Sequence, residues 1–308
     1  MKRLLFLFSD TGAGHRAAAE AVAAALALRY PNRFQVDCFD PMADPHVLAG
    51  RLTALYGPVT RRLPFLWSAA YHATNLQPTV RLFQHSIGRG LRRKLRAALD
   101  PRPALVASFH PLLNHVAVDV LPYGVPRVTV ITDWINFHQA WTDLKADCII
   151  CPSQAAYDLC RRRGVPADRL VRAGLPIHPR FQDAIRHASD KPSMRLRLRL
   201  RPHAPTVLLA ADLLATRAGP GMIAEGLSCG CPLLLTGYLP GQEGGNVSEV
   251  VRRGLGRYVP RPNDLVGAVN EWFEKPQAER LADADRARAA ADPTAAFTIA
   301  DVLVRMSG

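Results

Sequence analysis

One pattern recurs along this chain and limits what it can fold into: an apolar run of strand length, a glycine-rich polar loop, then a helix. Lys2–Phe8 is a largely apolar strand, Ser9–His15 a loop holding two glycines, Arg16–Leu28 an alanine-rich helix, and Phe34–Phe39 a second strand. A strand–loop–helix–strand order of this kind opens a doubly wound parallel sheet. Its first loop falls at the carboxyl ends of the strands, where such sheets bind ligands. The apolar run Leu4–Phe8 breaks at Ser9-Asp10, so a buried first strand is expected rather than a signal peptide. No run approaches the length of a membrane span.

The alternation continues. Strands are expected at Ala104–Ser108, Arg127–Thr132 and Asp147–Cys151, with helices over Leu113–Leu121 and Ser153–Arg163, the last begun by an N-cap serine. Between them, Asp44–Asp100 interrupts the pattern with aromatic residues (Tyr56, Phe65, Trp67, Tyr71, Phe83) among arginines, and helices over Val47–Tyr56 and Thr79–Leu99. Such a mixture suits the headgroup level of an anionic bilayer, and it equally suits a helical cover with a solvated basic face. The charge balance, 39 Lys+Arg against 26 Asp+Glu or +13, favours contact with phosphate. Single-stranded nucleic acid would also accept aromatics among cations, but no RNA-binding signature is present and no nucleic-acid partner is expected. Of six cysteines, Cys148 and Cys151 have CxxC spacing without a second pair, so all six read as reduced thiols of a cytoplasmic protein.

The second half repeats the opening pattern. After a strand at Thr206–Ala210, Arg217–Asn246 reads as a Gly-Pro-Gly turn, a helix, the strand Pro232–Thr236 and a second glycine-rich turn. Gly219 and Gly221 allow close backbone approach at a helix N-terminus, which presents free N–H groups to a phosphate. Glu225, one turn on, is placed to accept hydrogen bonds from a ribose, and Gln242 and Glu243 bring an amide and a carboxylate. This stretch points to a nucleotide-sugar or dinucleotide site. In the first half, His15 follows the first strand beside a helix N-terminus, which disfavours its charged form and suits a base. Asp133 either positions His15 or contacts a substrate itself. Helices over Asn263–Phe273, Gln277–Ala291 and Thr294–Arg305 are expected to close the chain.

Long ordered segments carry a resemblance. SDTGAGHRAAAEA (Ser9–Ala21), SFHPLLNH (Ser108–His115), VTVITD (Val128–Asp133), FHQAW (Phe137–Trp141), CPS (Cys151–Ser153), GLPIHPRF (Gly174–Phe181), ATRAGPGMIAEGL (Ala215–Leu227) and YLPGQEGGNV (Tyr238–Val247) resemble the monogalactosyldiacylglycerol synthase and processive diacylglycerol glucosyltransferase family, relatives of the MurG glycosyltransferase. The resemblance implies an α/β fold of GT-B type with two Rossmann-like domains: residues 1–180 for the lipid acceptor and membrane docking, and 181–308 for the UDP-sugar, with closing helices. It implies inverting transfer of a hexose from UDP-glucose or UDP-galactose to diacylglycerol, without metal or cofactor, at the inner face of the membrane. A polyprenyl-linked acceptor and a non-catalytic lipid-binding remnant are the alternatives. By matching position, His15 is expected as the base or the acceptor-site histidine, and Asp133, from its place at the end of the strand, is expected beside it as a catalytic residue. Gly219, Pro220, Gly221, Glu225, Gln242 and Glu243 bind the donor. Gly12, Gly14, His110, Trp67, Trp134 and Trp141 lie on the acceptor or membrane side. One departure stands out: Pro205–Ala210 runs directly into ADLLATRAGPG, where the family has further strand–helix units, about 70 residues at about 30 per unit. The C-terminal domain therefore reads as shortened by an internal deletion.

Overall fold

A computed structural model describes residues 1–10, 14–44, 57–60, 62–75, 90–118, 120–182 and 212–308. The expected helix at 47–56, most of that at 79–99, the strand at 206–210 and Gly12 lie outside them. The chain forms two compact units. The first comprises Met1–His178, Leu239–Gln242 and Ala295–Gly308; the second comprises Pro179–Tyr238 and Glu243–Thr294. A division at 180/181 was expected from sequence, with all closing helices in the second domain. In the structure the last helix belongs to the first unit.

The first unit holds a six-stranded parallel sheet in the order β2-β1-β3-β4-β5-β6. Its strands are β1 (Lys2–Leu7), β2 (Phe34–Phe39), β3 (Leu105–Ser108), β4 (Arg127–Val130), β5 (Cys148–Cys151) and β6 (Leu170–Arg172). Helices α1 (Gly14–Arg29), α2 (Pro64–Thr74), α3 (Pro111–Val118) and α4 (Gln154–Arg162) lie along the chain between strands, and residues 90–98 are also helical. Alternation along β1 feeds two cores. Leu4 and Phe6 pack with Ala18, Val22, Ile299 and Leu303, while Leu5 and Leu7 pack with Met42, Leu91, Leu95 and Leu113. Burial on both faces explains the near-continuous apolar character of β3 and β5. The alanines of α1 have a structural use: they admit α9 (Ala295–Met306), with Ala296, Ile299 and Ala300 fully buried. Tyr30 Oη donates to Asp301 Oδ1 at 2.7 Å, tying the two helices.

Cys148 and Cys151 fall into separate cores, as three-residue spacing on a strand requires. Cys151 and Cys160 Sγ atoms stand 3.9 Å apart as free thiols. Ser153 caps α4 as expected, its hydroxyl accepting from the Ala156 N–H at 3.1 Å. Two differences from expectation come from proline. α3 begins at Pro111, two residues earlier than the apolar pattern suggested, and α2 starts at Pro64 in a stretch without an expected helix. Proline's fixed φ and missing N–H suit a first helical turn.

The second unit holds three parallel strands, in the order β7 (Leu214–Arg217), β8 (Leu233–Gly237), β9 (Gly256–Tyr258) among its described residues. Helices α5 (Pro220–Ser228), α6 (Gly244–Arg252), α7 (Pro262–Glu274) and α8 (Gln277–Ala290) accompany them. Gly256 is dictated by packing: a Cβ there would stand 2.1 Å from the Leu233 carbonyl oxygen of the neighbouring strand.

Candidate functional site

In the first unit, the carboxyl ends of β1, β3 and β4 deliver His15, His110, Thr132 and Asp133 to one place. His15 is the second residue of α1, immediately after Gly14. Its Nδ1 meets Thr132 Oγ1 at 2.7 Å. Its ring stands edge-on to His110 at 4.8 Å and tilted against Trp141 at 5.8 Å. Part of the residue stays accessible, yet the ring is enclosed by these neighbours. Lost hydration brings its pKa down from the usual histidine range to about 4, against the opposing pull of a hydrogen bond to the Phe109 backbone. The imidazole is therefore neutral at neutral pH. Burial also holds His110 well below the usual range, aided by His15.

Asp133 is 6% exposed, and both carboxylate oxygens accept hydrogen bonds: Oδ2 from Trp141 Nε1 at 2.7 Å and Oδ1 from Gln242 Nε2 at 3.0 Å. Thr132, one residue earlier, meets the His15 ring. Gln242, expected to recognise sugar hydroxyls, spends one amide hydrogen on Asp133 in this structure.

Trp134 and Trp141 were expected on the acceptor or membrane side, and the membrane alternative needs a correction: a ring at headgroup level must be exposed, but Trp141 is wholly buried and Trp134 is 8% exposed. Trp141 walls His15 and orients Asp133, and the Trp134 carbonyl accepts from the Ser153 hydroxyl at 2.6 Å. Trp67 is half-buried on α2. Among the described residues, the surface-exposed large apolar groups of that region are Leu63, Phe65 and Leu66, and Phe65 is 86% exposed. Tyr71, grouped with them by sequence, is buried.

In the second unit, Gly219 is the N-cap of α5 and Pro220 stands in its first turn. Both Gly219 and Gly221 are free of positive φ. Gly221 has open space where a Cβ would point, and at Gly219 a Cβ would lie 3.9 Å from Glu243 Oε1. The amides of this helix start are thus lined by a carboxylate, which also pairs with Arg217 Nη2 at 3.6 Å. Glu225 is half-buried on α5, and lost hydration raises its pKa, with Arg180 opposing. Gln242 and Glu243, adjacent in sequence, diverge: Gln242 bonds Asp133 in the first unit, while Glu243 stands at the N-cap position of α6 in the second, without a side-chain capping bond.

Sequence reasoning passed over Thr132, Asn75, His138 and Arg163 as site residues, and read Tyr71 only as one of the aromatics of the basic insertion. Thr132 lies inside an apolar strand pattern that signals burial. Arg163 is one of many arginines, yet its Nη2 donates to the Phe137 carbonyl at 3.0 Å and its Nη1 to Thr142 Oγ1 at 3.1 Å. His138 lies inside FHQAW, a segment already singled out, and its ring was the legible signal.

Spinach (Spinacia oleracea) chloroplastic monogalactosyldiacylglycerol synthase is 26% identical over 391 aligned positions, covering 99% of this chain and 73% of that protein. Monogalactosyldiacylglycerol synthase 3 of Arabidopsis thaliana is 25% identical, covering 97% of the chain and 80% of that protein. Among solved structures, the MurG of Acinetobacter baumannii superposes with a TM-score of 0.58 at 15% identity, covering 99% of this chain and all of that one. A UDP-GlcNAc 2-epimerase from Neisseria meningitidis gives 0.57 at 11% identity, covering 98% and 100%. These likenesses establish the GT-B type of fold. The family profile described as monogalactosyldiacylglycerol (MGDG) synthase matches residues 15–177, a span that holds His15, His110, Thr132, Asp133 and Trp141, and the chain belongs to that glycosyltransferase family of glycolipid synthesis.

Proposed function

We propose that the chain transfers a hexose from a UDP-sugar to the free hydroxyl of diacylglycerol, with inversion, at a membrane surface. The observation that carries this reading is His15: a neutral imidazole at a helix start, 2.7 Å from Thr132 and walled by His110 and Trp141. It accepts the proton of the acceptor hydroxyl as that oxygen bonds to the anomeric carbon and the bond to UDP breaks. A base with a pKa near 4 is weak. It takes the proton only as the hydroxyl acidifies in the transition state. The first turn of α5 receives the diphosphate, where backbone N–H groups stabilise the leaving charge without a metal or cofactor. Glu225 takes the ribose.

Membrane association is part of the proposal. It is supported by Leu63, Phe65 and Leu66, exposed around the start of α2 beside the exposed Arg62, and by the net charge of +13. No described helix is long and apolar enough to cross a membrane. Peripheral association with the inner face of the membrane is part of the same reading, carried by those exposed apolar groups and the basic charge.

A second reading, a lipid-binding remnant with impaired turnover, is favoured by one observation. The alignment with the spinach enzyme spans 391 positions, and this chain has only 308 residues, so that enzyme has segments with no counterpart here. The test is incubation with vesicles containing diacylglycerol and labelled UDP-glucose or UDP-galactose. Labelled glycolipid that is lost in His15→Ala supports the first reading. Vesicle flotation without turnover and without UDP binding by calorimetry supports the second, and transfer only to a polyprenyl-linked lipid moves the acceptor class.

A further inference from the structure

The short helical turn Gln139–Trp141 carries Trp141, which in turn holds Asp133. The first N–H groups of a helical turn have no acceptor within it. Here both are supplied from outside the turn. The Gln139 N–H donates to Asn75 Oδ1 at 2.6 Å, across 64 residues of chain. The Ala140 N–H donates to His138 Nδ1 at 3.2 Å. Because Nδ1 accepts, the His138 proton sits on Nε2, which donates to Thr74 Oγ1 at 3.2 Å, and Thr74 Oγ1 donates to the Ala70 carbonyl at 2.7 Å. The relay ends in the backbone of α2. Tyr71, one turn before Asn75, stands edge-on to the His138 ring at 5.1 Å.

The same tyrosine meets a second loop. Gly241 has φ +87°, and a Cβ there would lie 3.1 Å from Tyr71 Cδ1, so glycine is required twice over. The next residue is Gln242, whose amide holds the other oxygen of Asp133. One turn of α2 therefore abuts both loops that grip Asp133.

We propose that the last turn of α2 is the template for this wall of the site, with Asn75 and Tyr71 as positioning residues. Asn75 fixes the Gln139–Trp141 turn and through Trp141 the Asp133 carboxylate; Tyr71 fixes Gly241 and through it Gln242. The catalytic meaning rests on the glycosyl-transfer reading above, whereas the placement itself does not.

The test compares Asn75→Leu, which removes the acceptor, with Asn75→Asp, which keeps one. Hydrogen exchange at the Gln139 and Ala140 amides is measured in the full chain, together with kcat and the donor KM. In Asn75→Leu those amides exchange faster by an order of magnitude while the sheet amides do not. A displacement of about 1 Å lowers kcat on the order of 10- to 100-fold. The donor KM stays near wild type, and Asn75→Asp restores both protection and rate. Tyr71→Ala raises the donor KM instead, through Gln242. Unchanged exchange at Gln139 in Asn75→Leu overturns the proposal. So does exchange that rises throughout the unit, or failure of Asn75→Asp to restore what Asn75→Leu loses. If the wild-type chain makes no glycolipid while Asn75→Leu still frees those two amides, the transfer reading falls and the positioning by α2 stands.

Discussion

His15 Nδ1 and Thr132 Oγ1 lie 2.7 Å apart, joining the first helix to the end of the fourth strand across 117 residues of chain. This contact fixes the orientation of the imidazole, because a ring packed by His110 and Trp141 has no other side-chain hydroxyl at that nitrogen among its described contacts.

Removing the hydroxyl while keeping the shape tests the contact. Thr132→Val is expected to lower kcat on the order of 10-fold or more, the scale of a misoriented base, while Thr132→Ser retains most of the rate. Steady-state kinetics on both variants checks this. Equal rates in Val and Ser contradict it.

The pH dependence of the rate follows from the same residue. With the His15 pKa near 4, the base is free at every pH above that value. The acid limb of kcat/KM in the wild type is therefore expected near pH 4, provided the fold persists, and not near the ordinary histidine value of about 6.5. A pH–rate profile decides between them.

Stability has its own pH dependence. His15 and His138 both have pKa values lowered to about 4, chiefly by burial. Between there and the unfolded value of about 6.5, the unfolded chain binds protons that the folded chain refuses. Stability is therefore complete above the unfolded pKa and falls as pH drops toward 4, each group adding a slope of up to about 1.4 kcal/mol per pH unit. Denaturant unfolding from pH 4.5 to 7 measures it, and His138→Asn, which keeps an acceptor for the Ala140 N–H, is expected to flatten the slope.

The last helix is expected to be integral to the first unit. Leu303 is fully buried against the core beneath α1. Leu303→Ala should cost about 2–5 kcal/mol, as cavity-forming changes in cores do. A thermal melt in which this variant matches wild type would falsify the assignment of α9 to that core.

Gly256→Ala is expected to disrupt the second unit alone, because the neighbour at 2.1 Å is backbone of β8 and has little room to yield. Hydrogen exchange resolved by segment should show loss of protection over 233–258 with the six-stranded sheet intact.

Much of this was legible in the sequence for physical reasons. Strand–loop–helix periodicity located five strands of the six-stranded sheet, since burial on both faces writes continuous apolar runs such as LVAS and CIIC. Chemistry-bearing residues at strand ends located His15, His110 and Asp133, because parallel sheets leave backbone and side chains free at that edge. The rest depended on distance in three dimensions. Nothing local in Thr132 distinguishes a partner of His15 from a strand residue. Tyr71 sits in the sequence LPFLWSAAY, where exposed Phe65 and buried Tyr71 differ only in which side of α2 they occupy. Trp141 has the composition of a membrane-facing aromatic and the burial of a core residue. The placement of α9 with the first unit depends on alanine faces that read as ordinary helix until their partner is known.

The most direct measurement is glycolipid formation by the wild-type chain and by His15→Ala, with labelled UDP-glucose or UDP-galactose and vesicles containing diacylglycerol. The account predicts labelled glycolipid from the wild type and a loss on the order of 100-fold or more in the variant, the scale of a removed general base. Undiminished product from His15→Ala, with the fold intact, would contradict it.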